Sequence, residues 1–179
     1  MAAEVHEGIH GVPMSWEDYR ALGDDVRGEY VDGAFIPRGV VTGRHQRIAR
    51  RLANVLESGT GHQVHDAWGW KPGADKYEPD VMVIDADAAV DEEAQYWDGP
   101  VLLCVEVLSP SNQSKDWVRN TAKYARHGCP EYWIVSPWDH TVYVHRLVDG
   151  AYELDRALSE GAVELERWGI VLDVGALFA

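Results

Sequence analysis

The stretch VLLCVEVLSPSNQSKD, residues 101–116, decides how the rest of the chain is read. The apolar run from Val101 to Val105 has the length and composition of a buried strand, and the Ser109-Pro110 pair breaks it. Glu106 stands near the end of that strand. An unpaired buried carboxylate costs on the order of several kcal/mol even after relaxation. A strand that carries one must therefore neutralise it, pair it, or use it to hold a cation.

A matching feature lies upstream in YEPDVMVI, residues 77–84, where Asp80 directly precedes an apolar strand that Pro79 opens. Taken singly, Asp80 is a turn carboxylate at a strand start and Glu106 a paired charge at a strand edge. If the strands are neighbours, the two carboxylates meet at one point and repel. A hard divalent cation resolves that repulsion. Mg²⁺ is commonly held by one or two carboxylates together with water and phosphate.

The chain has 179 residues, 46% hydrophobic and 26% charged, which suits one soluble domain over residues 1–179 with a substantial core. Apolar runs are too short for a transmembrane helix, and MAAEVHEGIHG lacks the basic head and apolar stretch of a secretory signal. With no close pairing pattern for Cys104 and Cys129, reduced thiols and a cytoplasmic location are expected. The formal charge of −14 argues against a broad phosphate-binding surface but leaves room for a local one, and it suits divalent cations.

Residues 1–14 read as a loose tail. His6-Glu7-Gly8-Ile9-His10 matches the zinc-protease pattern HExxH, yet Gly8, Gly11 and Pro13 oppose the stable helix that pattern needs. A capping box at Ser15 opens a short helix, and Gly28–Pro37 reads as a hairpin turning at Asp32-Gly33. Thr42 caps a helix over 43–58 that Gly59 and Gly61 end. Strands are expected at Gln63–Trp70, Pro79–Ile84, Val101–Leu108 and Glu131–Ser136, and a helix over Lys115–His127 with Ser114 or Asp116 as its cap. The tail reads as short strands. This order gives an α/β fold with one main mixed sheet flanked by helices and additional β-hairpins.

On the helix over 43–58, Ile48, Leu52, Val55 and Leu56 form an apolar stripe that includes His45, while Arg44, Arg47, Arg50 and Arg51 gather opposite. His45 is then a satisfied core histidine or a residue lining a cleft at the helix start. The arginine face is ordinary solvated surface, or the best phosphate-contacting patch on an acidic chain. On the later helix, Trp117, Thr121, Tyr124 and Ala125 form the buried stripe, Asn120 flanks it, and Lys123 turns roughly 60° further towards solvent.

These parts together resemble the Uma-two-type restriction endonuclease family of the PD-(D/E)XK nuclease superfamily. The resemblance runs from about Ser15 to Phe178 and rests on GEYVDG (28–33), GRHQRIARRL (43–52), EPDVMVI (78–84), and VEVLSPSNQSKD continuing to KYARHGCPEYWIVSP. It implies a restriction-endonuclease-like core with a central Mg²⁺ site, Mn²⁺ serving as a substitute. Asp80 and Glu106 fall on the motif carboxylates, Glu29 on the N-terminal acidic position, and His45 on a histidine that lines the site. The superfamily lysine two residues after the glutamate is replaced by Leu108. Family members supply it instead from the following helix, at the position held here by Asn120, and Lys123 one turn on is the nearest substitute.

The expected activity is Mg²⁺-dependent hydrolysis of phosphodiester bonds in DNA, with RNA left open, and a homodimer as the assembly. Asp80, Glu106 and Glu29 would hold metal, and Lys123, Asn120 and His45 would serve catalysis. Arg44, Arg47 and Arg51 would contact phosphates. The alternative is a catalytically weak or inactive module of the same fold that binds metal, nucleic acid or a partner; Leu108, Asn120 and the net charge favour it.

Overall fold

The computed structural model describes residues 11–23, 26–109 and 115–179, and within the last span the side chains from residue 121 onward. The segment around His6 and His10, the cap position Ser114, and the side chains of Asp116, Trp117 and Asn120 lie outside the described residues.

The chain opens with β1 (Val12–Pro13), α1 (Trp16–Ala21), β2 (Gly28–Val31), β3 (Ala34–Pro37) and α2 (Gly43–Thr60). There follow β4 (Gln63–Asp66), β5 (Gly69–Trp70), β6 (Val81–Ile84), β7 (Tyr96–Trp97) and β8 (Leu103–Val107). The last elements are α3 (Lys115–Arg126), β9 (Glu131–Ser136), β10 (Thr141–Val148), β11 (Ala151–Leu158), β12 (Ala162–Leu165), β13 (Ile170–Asp173) and α4 (Val174–Phe178).

The main sheet has the order β11-β10-β9-β8-β6-β4. Only β8 and β9 run parallel, because α3 crosses between them. Strand alternation divides the core. Val81, Val83, Val105 and Val107 pack with Ile48, Leu52 and Leu56 of α2, while Met82, Ile84, Cys104 and Leu108 pack with Tyr124 of α3. A smaller sheet, β1-β3-β2, forms the hairpin layer, whose turn takes the left-handed pair Asp32 (φ 51°) and Gly33 (φ 78°). Its Tyr30 exchanges backbone hydrogen bonds with Lys76 (2.8 and 2.7 Å), which lays β2 beside the approach to β6.

Several sequence expectations need adjustment. The strand expected over Gln63–Trp70 breaks at Ala67 (φ 52°), so Gly69–Trp70 joins a separate ribbon with β7. Gly59 lies inside α2 rather than ending it; a Cβ there would sit 2.3 Å from Ile170 Cγ2, so glycine lets β13 close on the helix. Gly61 (φ 71°) is the actual stop. The end of the chain is the helix α4 rather than a strand, with Asp173 accepting a capping bond from the Ala176 amide. Cys104 and Cys129 are free and buried, with a hydrogen bond between the two thiols. Among the described residues, no helix is long and apolar enough to cross a membrane.

Candidate metal and phosphate site

The pairing of β6 with β8 places the two motif carboxylates. Val81 lies opposite Val105, so Asp80 and Glu106, the next residue on each strand, come to the same junction. Glu106 lies on the α3 side of β8, where Tyr124 reaches it, and both carboxylates line one cavity. Two bonds lock the junction: the Asp80 amide donates to the Val105 carbonyl (3.0 Å), and the Val107 amide donates to Asp80 Oδ2 (2.8 Å).

His45 reaches the same point from the other face. Thr42 caps α2 by accepting from the His45 amide (3.2 Å), which fixes the first turn. From there the His45 Nε2 lies 2.9 Å from Asp80 Oδ2, with both side chains buried. Its Nδ1 is buried without a hydrogen-bond partner among the described residues.

Glu29 and Lys123 close the other side. Glu29 Oε1 accepts from the Glu78 amide (3.2 Å) and from Lys123 Nζ (2.7 Å). Lys123 Nζ also stands 3.6 Å from Glu106 Oε1 and over the rings of Tyr77 and Tyr124. Tyr124 donates to the same Glu106 oxygen (2.5 Å). The surface position expected for Lys123 is thus corrected: the residue is 4% exposed. Helical-wheel arithmetic allowed α3 one buried face, but the helix packs on the sheet and also against the hairpin layer. A clamp fixes that second contact. Asp75 accepts from the Asp32 amide (3.0 Å) and from the Tyr77 hydroxyl (2.9 Å), and His127 Nε2 lies 3.1 Å from that hydroxyl. Leu108, where a lysine stands in the superfamily pattern, is buried beside Tyr124.

Glu29, Asp80, Glu106, Lys123 and His45 therefore line one cavity of about 130 Å³. Sequence reasoning missed two further groups there. Arg38 donates from one terminal nitrogen to Asp80 Oδ1 and from the other to the Glu78 carbonyl (2.8 Å). Glu78 itself pairs with Lys76 (2.5 Å). Arg38 sits in an irregular segment without periodicity, so no pattern marked it.

Burial works to raise the Asp80 carboxyl, but the His45 hydrogen bond, the Arg38 charge and the Val107 amide outweigh it and hold the group below the usual carboxylate range. Glu106 goes the other way. Burial, with the charges of Asp80 and Glu29, pushes it up to about 7 against the opposing pull of Lys123 and Arg38. A site that resists its own second charge is one where an added cation is favoured.

Among the described residues, no group of three or more His, Cys, Asp or Glu side chains is arranged to hold a metal ion. Glu29 reaches the site but spends Oε1 on Lys123 and the Glu78 amide, so a three-carboxylate cage is not preformed. The Asp80–Glu106 pair still fits a hard cation: the donors are carboxylate oxygens, and Mg²⁺ needs only one or two of these with water and phosphate.

The arginine face of α2 divides. Arg51 donates to the Leu177 carbonyl (3.3 Å) and the Ala179 carbonyl, satisfying the end of α4 rather than facing the site. Arg44 lies 2.9 Å from His140 Nε2, and Arg47 is exposed. Arg50 instead borders a recess of about 450 Å³, shared with Arg27, Arg38 and Gln46, that opens onto Asp80.

A mixed sheet with helices on both faces, and an acidic cavity where its central strands meet, defines a restriction-endonuclease-like α/β protein. Residues 16–170 match the Uma2 family, described as "Putative restriction endonuclease", and the chain belongs to that family. The fold is similar to a crystal structure from Anabaena variabilis described as "a putative nuclease belonging to DUF820" (TM-score 0.77, 21% identity, 93% of this chain and 98% of that one). No curated protein matches the chain.

Proposed function

We propose that the protein is a divalent-metal-dependent endonuclease hydrolysing phosphodiester bonds in DNA, with Mg²⁺ as its ion and Mn²⁺ as a substitute. The observation that carries the reading is the convergence of Asp80, Glu106, Lys123, Glu29 and His45 on one cavity. Asp80 and Glu106 would hold the ion, which when bound supplies Lewis-acid polarisation of the scissile phosphate and an acidified water.

The remaining roles follow from this chain's own groups. Lys123 presents a fixed ammonium at the cavity wall, where negative charge grows on the phosphate. Glu29 and the flanking aromatic rings hold that ammonium still, so little reorganisation is needed as charge develops. His45 fixes Asp80 Oδ2 and keeps its carboxylate ionised. Asn120 stands on α3 one turn before Lys123 and would share with it the place of the missing lysine.

The test is cleavage of supercoiled plasmid, linear duplex, single-stranded DNA and RNA with Mg²⁺ or Mn²⁺. Asp80→Asn and Glu106→Gln should each lower cleavage by about 100-fold or more, and Lys123→Met by a similar factor. Cleavage indifferent to all three changes overturns the assignment. The competing reading, a non-catalytic module of the same fold, is favoured by Arg38 standing on Asp80 and by the charge of −14. It predicts no metal-stimulated cleavage of any of these substrates. Breaking both strands together would call for two copies of the site, which light scattering of the protein with and without duplex reads directly.

A further inference from the structure

Both oxygens of Asp80 are engaged. Oδ2 accepts from the Val107 amide (2.8 Å) and faces His45 Nε2 (2.9 Å). Oδ1 is taken by Arg38. The Val107 amide is fixed by the strand and His45 is buried, whereas Arg38 keeps 18% of its side chain exposed. Arg38 also borders both the catalytic cavity and the adjoining recess that carries Arg27 and Arg50. A cation arriving at Asp80 therefore meets the like charge of Arg38 at Oδ1.

The guanidinium has somewhere to go. Its planar fork matches a phosphate as well as it matches a carboxylate, and the recess beside it is the wide, arginine-lined approach to Asp80. Charge favours the exchange. With Asp80, Glu106 and Glu29 on one cavity, a divalent ion offsets more charge than the guanidinium it replaces, and a phosphate accepts the guanidinium released.

We propose that Arg38 is a built-in counter-cation of Asp80 that a divalent ion displaces, and that the freed guanidinium then positions the substrate phosphate. The inference rests on the reading of Asp80 and Glu106 as the metal pair. Ion and nucleic acid then reinforce one another's binding reciprocally, as linkage requires. Metal alone binds weakly because it must first expel an internal competitor.

The test is a Mn²⁺ titration of the full chain, followed by the electron paramagnetic resonance signal of free Mn²⁺, with folding checked by circular dichroism. Arg38→Met should bind Mn²⁺ at least about tenfold more tightly than wild type, and Arg38→Gln, whose amide can still reach the Glu78 carbonyl, should shift the same way. The gain should vanish when Asp80→Asn is added. At saturating Mn²⁺, both Arg38 variants should cleave DNA more slowly than wild type. Mn²⁺ binding that Arg38 substitution leaves unchanged or weakens, while Glu106→Gln still weakens it, overturns the counter-cation inference and leaves the metal site standing. Unchanged or faster cleavage at saturating Mn²⁺ overturns the phosphate-positioning half. No Mn²⁺ uptake by any variant overturns both the inference and the metal reading beneath it.

Discussion

Glu106 shows how one buried carboxyl sets a whole protein's response to pH. Its folded-state value of about 7 exceeds the 4.5 of the unfolded chain. Between those values the folded state holds a proton that the unfolded chain has released, so metal-free stability falls as pH rises through that window. The loss is on the order of a few kcal/mol. Urea denaturation in a chelating buffer from about pH 5 to about pH 8 should show the decline, and Glu106→Gln should flatten it. A decline that survives Glu106→Gln would assign it to another group. At this scale Asp80 and Glu106 were legible because a carboxylate beside an apolar strand breaks the pattern around it. Lys123 was not, since its burial depends on Glu29 of the hairpin layer, 94 residues away in sequence. Arg38 was not either, since nothing in a segment without periodicity distinguishes a buried arginine from a solvated one.

At the scale of elements, the strands and helices were mostly readable, because caps and turns act through neighbouring residues. Ser15, Thr42 and Asp32-Gly33 each do what their chemistry dictates. The errors fall where a distant element decides. Gly59 looks like a helix stop, but the proximity of Ile170 is what requires it. Gly59→Ala, ordinarily stabilising in a helix interior by about 1 kcal/mol, should here lower stability by about 1–3 kcal/mol through overpacking. Thermal denaturation reads the sign directly, and a raised Tm would show that β13 yields without cost. The arginines of α2 follow the same logic. Which of them is left free for a ligand depends on where α4 docks, and α4 claims Arg51.

For the molecule as a whole, a charge of −14 means that any nucleic-acid contact must be local. The recess bordered by Arg27, Arg38 and Arg50 is the region adjoining Asp80 where such contact is favoured. Arg27→Ala and Arg50→Ala should each weaken DNA binding and reduce the slope of log affinity against log salt by about one. Arg51→Ala should leave that slope alone while lowering Tm. Fluorescence anisotropy across a salt series separates the two, and an Arg51 effect on the slope would return the contact surface to the opposite face of α2. The placement of Lys123 on α3 has one more consequence. In a Glu-x-Lys strand, carboxylate and ammonium are joined by two peptide units and stay neighbours even in a loosened chain. Here Glu106 and Lys123 are neighbours only because helix, sheet and hairpin are docked. In a molten-globule state, with helices and strands retained but packing lost, the reactive constellation would dissolve before the secondary structure does. The proposed activity would then report tertiary order, vanishing on gentle heating while far-ultraviolet dichroism still looked native.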